Sequence, residues 1–290
     1  MTIYNLGSIN ADHFYAVPHL PGPGETLAAM SLSTGLGGKG ANQSVAAAKA
    51  GADVVHVGAV GPDGAWALDR LAQYGVGTSH IAQIDIATGH ANICVDPGGE
   101  NQIILYTGAN RAMSEVQLAI LDNAGPGDWL MLQNETNLQV QAAERARAKG
   151  AKVAYSAAPF DVEAVTAVLR HTDLLLLNAV EARQLAHALG VAVSDLPVPQ
   201  VVVTKGADGA EWHDLQTGET IAIPAHSVAP VDTTGAGDTF AGYLVAGLSQ
   251  GMEPESALRF ASAAAALKVT RAGTADAIPL RTEVDAFLSD

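Results

Sequence analysis

Two periods alternate along the chain. Short apolar runs bounded by Gly, Pro, Asn or Asp have the length of strands, and between them apolar residues return every three to four positions, as on one face of a helix. Residues 2–7 predict a strand, 41–50 an alanine-rich helix stopped by Gly51, 53–60 a strand and 65–74 a helix. A strand near 81–86 follows. From residue 114 the alternation is regular: helix 114–123, strand 128–132, helix 138–149, strand 151–155, helix 161–170, strand 173–177 and helix 179–189. A strand from Val201, two antiparallel edge strands at 209–213 and 219–223, helices 237–249 and 254–271 and an amphipathic helix 281–288 complete the chain. The run Leu174-Leu175-Leu176-Leu177 is wholly apolar, as parallel strands covered on both faces require. Short right-handed crossovers between such strands build a three-layer α/β/α sandwich.

One stretch departs from this rhythm. Ala91, Ile93 and Val95 alternate with His90, Asn92, Cys94 and Asp96, and the turn residues 96–100 join residues 89–95 to a second strand at 101–106. A hairpin inside a βα chain belongs to a separate small sheet, here with strands from about 12–17 and 27–33. That sheet reads as a lid over a ligand and as a dimer contact. His90 reads as a polar-face residue and Cys94 as a small packed side chain. The Pro-Gly-Pro-Gly region between Pro18 and Thr26 is a turn rather than a linker, because apolar patterning resumes at once. Residues 1–290 are therefore expected to form one domain with the lid strands inserted.

Composition narrows the partners. Hydrophobic residues at 48% and charged residues at 16% exclude disorder. A net charge of −15 argues against nucleic acid or an anionic membrane as partner, so any phosphate must be held by local dipoles and a few cations. A single cysteine allows no intrachain disulfide, no Cys/His cluster has zinc spacing, and the N-terminal residues read as a strand rather than a signal peptide. With no apolar run of about 18 residues, a soluble cytoplasmic protein is expected.

The candidate chemistry centres on Asp232-Thr233-Thr234-Gly235-Ala236-Gly237-Asp238-Thr239, a loop turning into a helix. Gly235 and Gly237 allow positive φ, so their N–H groups can converge at a helix N-terminus, where the dipole favours an anion. Asp238 beside that hole could accept the proton of an attacking hydroxyl, which suggests phosphoryl transfer to an alcohol. The same residues could equally form only a tight turn with an acidic first helical turn.

Earlier in the chain, Asn10 and Asp12 follow the first strand, where α/β sheets gather ligands; they can serve a polyol or make an Asx turn. Gly35, Gly37 and Gly40 satisfy a dinucleotide-binding spacing, but the next strand ends without an acidic residue for a ribose hydroxyl. Lys39 is followed by Gly40 rather than Ser or Thr, so the segment is no P-loop either. What remains is a loop with Lys39 and a first helical turn with Asn42, both suited to a small polar ligand. Glu135, Asn178 and Glu181 stand at strand ends, the last two also forming a capping box.

The signatures Gly37-Gly38-Lys39-Gly40-Ala41-Asn42-Gln43 and Asp232 to Phe240, with Asn10-Ala11-Asp12 before them, resemble those of the ribokinase family of carbohydrate kinases, from Asn5 to Leu288. The resemblance implies a ribokinase-like sandwich with a β-sheet lid, a homodimer formed through that lid, and ATP-dependent phosphorylation of ribose at its 5-hydroxyl. It also implies residue roles. Asn10, Asp12, Gly38, Lys39, Asn42 and Glu135 would hold the sugar, Asp238 would be the base, and Gly235, Ala236 and Gly237 the anion hole. ATP would lie along Asn178, Thr204, Lys205, Gly206, Gly209, Gly237 and Ser262, with Mg2+ carried on its phosphates near Glu181. An activating K+ would take the Asp232 carboxylate and the carbonyls of Thr234, Lys268, Arg271 and Gly273, but Ala277 stands where a serine hydroxyl is usual. His90 and Asn92 replace more apolar lid residues. A kinase of another pentose, a ketohexose or a nucleoside, and a sugar-binding regulator without catalysis, remain as alternatives.

Overall fold

The computed structural model describes residues 1–289. In chain order its strands are β1 (Thr2–Leu6), β2 (Asn10–Ala16), β3 (Ser31–Gly37), β4 (Asp53–Val60), β5 (Gly77–Gln83), β6 (Gly89–Val95), β7 (Asn101–Tyr106), β8 (Trp129–Leu132), β9 (Lys152–Ser156), β10 (Leu174–Asn178), β11 (Gln200–Thr204), β12 (Ala210–Asp214) and β13 (Thr220–Ile223). The helices are α1 (Lys39–Lys49), α2 (Ala65–Gln73), α3 (Gln139–Ala148), α4 (Val162–Leu169), α5 (Ala179–Leu189), α6 (Ala236–Ser249), α7 (Pro254–Val269) and α8 (Arg281–Ser289).

Nine strands form the main sheet in the order β13-β12-β11-β10-β9-β8-β1-β4-β5, all running in one direction except β12, which is antiparallel to both of its neighbours. Apolar side chains fill both faces. One core includes Val45 of α1, Tyr243 of α6 and Phe260 of α7, and the other Ala142 of α3, Val165 of α4 and Leu185 of α5. The expected α/β/α layering is thus present. Strand β1 lies between β4 on one side and β8 on the other, and at such a switch in strand order a crevice forms beyond the C-terminal end of the strand.

Two close backbone approaches place the helices that border this crevice. A Cβ on Gly40 would fall 2.3 Å from the Cα of Gly7, so α1 can begin directly on the end of β1. A Cβ on Gly242 would fall 2.5 Å from the Cβ of Ala46, and its absence lets α6 lie against α1. Only side chains of this size bring the starts of α1 and α6 together.

The second sheet has the order β3-β2-β6-β7. Strand β3 begins at Ser31 rather than near residue 27 and runs on through Gly37. Pairing supplies the reason: β2 aligns Asn10 with Gly37 and Asp12 with Gly35, drawing into a strand glycines that read as loop. In the same way β5 occupies 77–83 instead of 81–86 through its pairing with β4, and residues 115–123 form 3-10 rather than α-helix. Among the described residues no helix is long and apolar enough to cross a membrane.

Candidate active site

The site assembles at the C-terminal end of β1. Gly38, at φ 91°, turns the chain out of β3 and into α1, so Lys39 opens the helix instead of lying on a flexible loop. The exposed amides of this helix start are met from two directions. Ala41 N–H donates to the carbonyl of Ser8 at 2.8 Å, Gly40 N–H to Ser8 Oγ at 3.2 Å and Lys39 N–H to Glu135 Oε2 at 3.0 Å. Ser8 Oγ in turn donates to the same Glu135 oxygen. Glu135 therefore ties the end of β8 to the start of α1 in addition to facing the crevice.

Asn10 and Asp12 enter from β2. Asn110, in a 3-10 turn, holds the segment by accepting from Ile9 N–H at 2.9 Å and donating to Asn10 Oδ1 at 2.8 Å. Asp12 lies over Gly37, where a Cβ would come within 1.9 Å of its carboxylate. Burial, reinforced by the negative charge of Glu135, pushes the Asp12 carboxyl up to about 7. In contrast, Asp238 outweighs burial at Lys39 and, with Glu135 and Glu181, holds its ammonium above the ordinary lysine value.

Asp238 sits in the first turn of α6 and is buried. Its Oδ2 accepts from Asn42 Nδ2 at 3.0 Å and its Oδ1 from Gln43 Nε2 at 3.2 Å. Behind Gln43, Gln133 Nε2 donates to Gln43 Oε1 and to Asn5 Oδ1, both at 2.8 Å, and Asn5 Nδ2 donates to Gly40 O at 2.9 Å. This chain of amides fixes the carboxylate from the core side. Asn42 Oδ1 is buried and has no partner, which leaves an acceptor for a ligand hydroxyl.

Gly235 caps α6 at φ 72°, as a convergent loop requires, whereas Gly237 lies within the helix. The N–H of Ala236 turns back to Thr233 O at 3.2 Å. Among the described residues, the N–H groups of Gly235, Gly237 and Asp238 have no protein acceptor, and they stand at the positive end of a 14-residue helix.

On the far side of this helix start is a cavity of about 390 Å³ that Thr204, Gly206, Gly209, Gly237 and Ser262 line. Its other walls include Val228, Pro230, Phe240 and Val269, which make the slot largely apolar. Lys205 does not line it: its ammonium pairs with Glu211 on β12. Asn178 is at the end of β10, where its Oδ1 accepts from Val180 and Glu181 N–H at 2.8 and 2.9 Å. Glu181 Oε2 accepts from Asn178 N–H at 2.8 Å, which completes the capping box; burial raises the Glu181 carboxyl, opposed by that N–H and by Lys39. A second cavity, between β5 and the 115–123 turn, contains none of these residues.

Sequence reading singled out no role for Ser8, Gln43, Asn110 or Gln133. Gln43 is part of a quoted signature, but only the contact between α1 and α6 reveals what it faces. The cavity wall at 225–230 has no regular structure and no periodic signal to disclose it.

The chain belongs to the pfkB family of carbohydrate kinases, whose model matches residues 2–281. It is thus a phosphotransferase with the ribokinase-like fold. Within that family it is 37% identical over 306 residues to a ribokinase of Haemophilus influenzae, covering 99% of this chain and 98% of the relative. Its structure is similar to that of a ribokinase from Thermotoga maritima, with a TM-score of 0.90, 32% identity and full coverage of both chains. It is also similar to an Arabidopsis thaliana ribokinase complexed with ribose and ATP, with a TM-score of 0.86, 30% identity and coverage of 100% and 98%.

Proposed function

We propose that this chain transfers the γ-phosphoryl group of ATP to the 5-hydroxyl of D-ribose, giving D-ribose 5-phosphate and ADP. The observation that carries the reading is Asp238, buried and held by two side-chain amides, immediately beside the free N–H groups at the start of α6.

In this reading the sugar lies between the end of β1 and the lid. Asn10, Asp12, Lys39, Asn42 and Glu135, with the backbone of Gly38, take its hydroxyls, and the unpartnered Asn42 Oδ1 accepts one of them. Asp238 receives the proton of the 5-hydroxyl as that oxygen forms its bond to the γ-phosphorus and the bond to ADP breaks. Charge gathering on the transferred group is met by the N–H groups of Gly235 and Gly237 and by the helix dipole, with Ala236 shaping the turn. The base of ATP fills the slot lined by Ser262 and Gly209, and its phosphates run past Thr204 and Gly206 toward Asn178 and Gly237. Lys205, between the lining residues Thr204 and Gly206, is held at the edge of this wall by its ion pair with Glu211.

Mg2+ carried on the phosphates supplies charge neutralisation. Glu181, close enough to Lys39 for the two charges to interact, would be the carboxylate that holds it through water.

Two further readings belong to the same proposal. Leu32 of β3 and Ile104 and Tyr106 of the edge strand β7 share one exposed face of the lid, which fits a homodimer formed through it. The single cysteine, Cys94, fits a cytoplasmic enzyme, and the two sheets are read as one domain with an inserted lid.

The test is ADP release from Mg-ATP with D-ribose, 2-deoxyribose, fructose and adenosine offered separately. A specificity constant highest for ribose is expected. Preference for another acceptor would keep the chemistry and change the substrate, and sugar binding without ADP release would favour a regulator.

A further inference from the structure

Lys268, in the last turn of α7, is among the largest fully buried side chains, at 0% exposure. A lysine is almost never so sequestered unless its charge is matched. Its Nζ donates to the backbone carbonyl of Asp232 at 3.0 Å. That carbonyl belongs to the loop that leads into Gly235 and the anion hole. The loop is tied to the same helix end by Val231 and Asp232 N–H, which donate to Val269 O at 2.7 and 3.1 Å. Burial holds the ammonium below the ordinary lysine value, and two carboxylates, those of Asp232 and Asp238, oppose that shift.

This is where the family resemblance implies a potassium ion, and the residues present do not fit one well. Ala277 offers no side-chain oxygen. Each Asp232 carboxylate oxygen already accepts from a backbone donor, Oδ1 from Thr234 N–H and Oδ2 from Gly273 N–H, both at 2.9 Å, which fixes the direction of the carboxylate. The Lys268 carbonyl already accepts from Arg271 N–H at 3.0 Å. A fixed ammonium beside these groups also repels a second cation.

We infer that the Lys268 ammonium is the chain's own monovalent cation, a positioning residue that holds the Asp232 carbonyl and thereby the loop of the anion hole, and that the enzyme does not need potassium. A loop whose carbonyls turn toward a cation below presents its N–H groups to the phosphoryl group above. A covalently attached cation does this at any ionic composition, whereas a dissociable one does it only when bound. The inference rests on the kinase reading above.

The experiment compares the native protein with Lys268→Ala and Lys268→Arg in sodium, potassium or choline chloride at fixed ionic strength. Two quantities are measured, kcat for ribose phosphorylation and the melting temperature without substrates. The native protein is expected to show the same values in all three salts. Lys268→Ala should lose about 100-fold in kcat in choline, as a misplaced catalytic loop does, with a smaller change in KM. Potassium should restore part of that kcat and raise the melting temperature of this variant alone, and Lys268→Arg should retain more activity in choline than Lys268→Ala. Strong potassium activation of the native protein, or full activity of Lys268→Ala in choline, would overturn the inference. If Lys268→Ala fails to fold, the native comparison decides by itself. Should the protein phosphorylate no sugar, the melting series still tests the internal cation, so the two readings fail separately.

Discussion

Asn42 Nδ2 donates to Asp238 Oδ2 at 3.0 Å, joining two side chains that are 196 positions apart in the chain. The bond exists because α1 and α6 pack closely enough at Gly242 to face their first turns toward each other. It occupies one oxygen of the proposed base while Asn42 Oδ1 stays free, so one side chain can orient both the base and the hydroxyl it deprotonates.

Asp238→Asn keeps the shape of this contact and removes the proton acceptor. The kcat is expected to fall about 10²- to 10⁴-fold, the range for loss of a general base, while ribose affinity measured by calorimetry changes only a few-fold. Turnover near the native value would remove Asp238 from the reaction.

Gln43→Leu deletes the donor to Asp238 Oδ1 but leaves the Asn42 bond. A carboxylate held on one side only can turn away from the hydroxyl it must deprotonate, so kcat should fall roughly tenfold while KM changes little. An unchanged kcat would show that the Gln43 bond is only structural.

Asp12 should make ribose binding depend on pH near neutrality, since its carboxyl is pushed up to about 7 in the free protein. Binding that needs the ionised form weakens as pH falls below that value, and Asp12→Asn should abolish the dependence. Stability runs the other way. The folded state keeps the Asp12 proton above pH 3.8, where the unfolded chain has lost it, so this contribution is lost as pH rises from 3.8 to about 7. At about 1.4 kcal/mol per pH unit, the ceiling is about 4 kcal/mol. Melting of the native protein and Asp12→Asn at pH 5 and 8 reads this directly; a gap between them that does not widen toward pH 8 would contradict it.

Gly40→Ala places a methyl group 2.3 Å from Gly7 Cα and from Ser8 N, where only backbone can yield. Overpacking of this kind costs about 1–3 kcal/mol. Chemical denaturation should show that loss, together with weaker ribose binding, because α1 carries Lys39 and Asn42 away from the end of β1. Unchanged stability would mean that the contact relaxes freely.

Ile104→Glu puts a charge on the exposed lid face. Sedimentation should then show monomer where the native protein shows dimer, with the melting temperature of the monomer little affected. A native protein that sediments as a monomer would dispose of the lid interface.

How much of this was legible in the sequence depended on the range of the interaction. The layered α/β/α sandwich, the hairpin 89–106 and the capping box Asn178–Glu181 are local or periodic, and the sequence by itself determined them: apolar period, turn residues and a cap three positions from its partner do not need the rest of the fold. The resemblance of two short signatures was enough to indicate the kinase family. Tertiary structure alone decided the remainder. Glycines 35 and 37 joined a strand because β2 offered partners. Gln43 found Asp238, and Asn110 found Asn10, across spans that no local pattern encodes. In the sequence Lys268 is a helix residue of which only the backbone carbonyl has an implied role. Its ammonium on the carbonyl of Asp232 follows only when α7 ends beneath the loop that precedes α6, since the energy of a buried charge is set by what surrounds it in space and not by its neighbours along the chain.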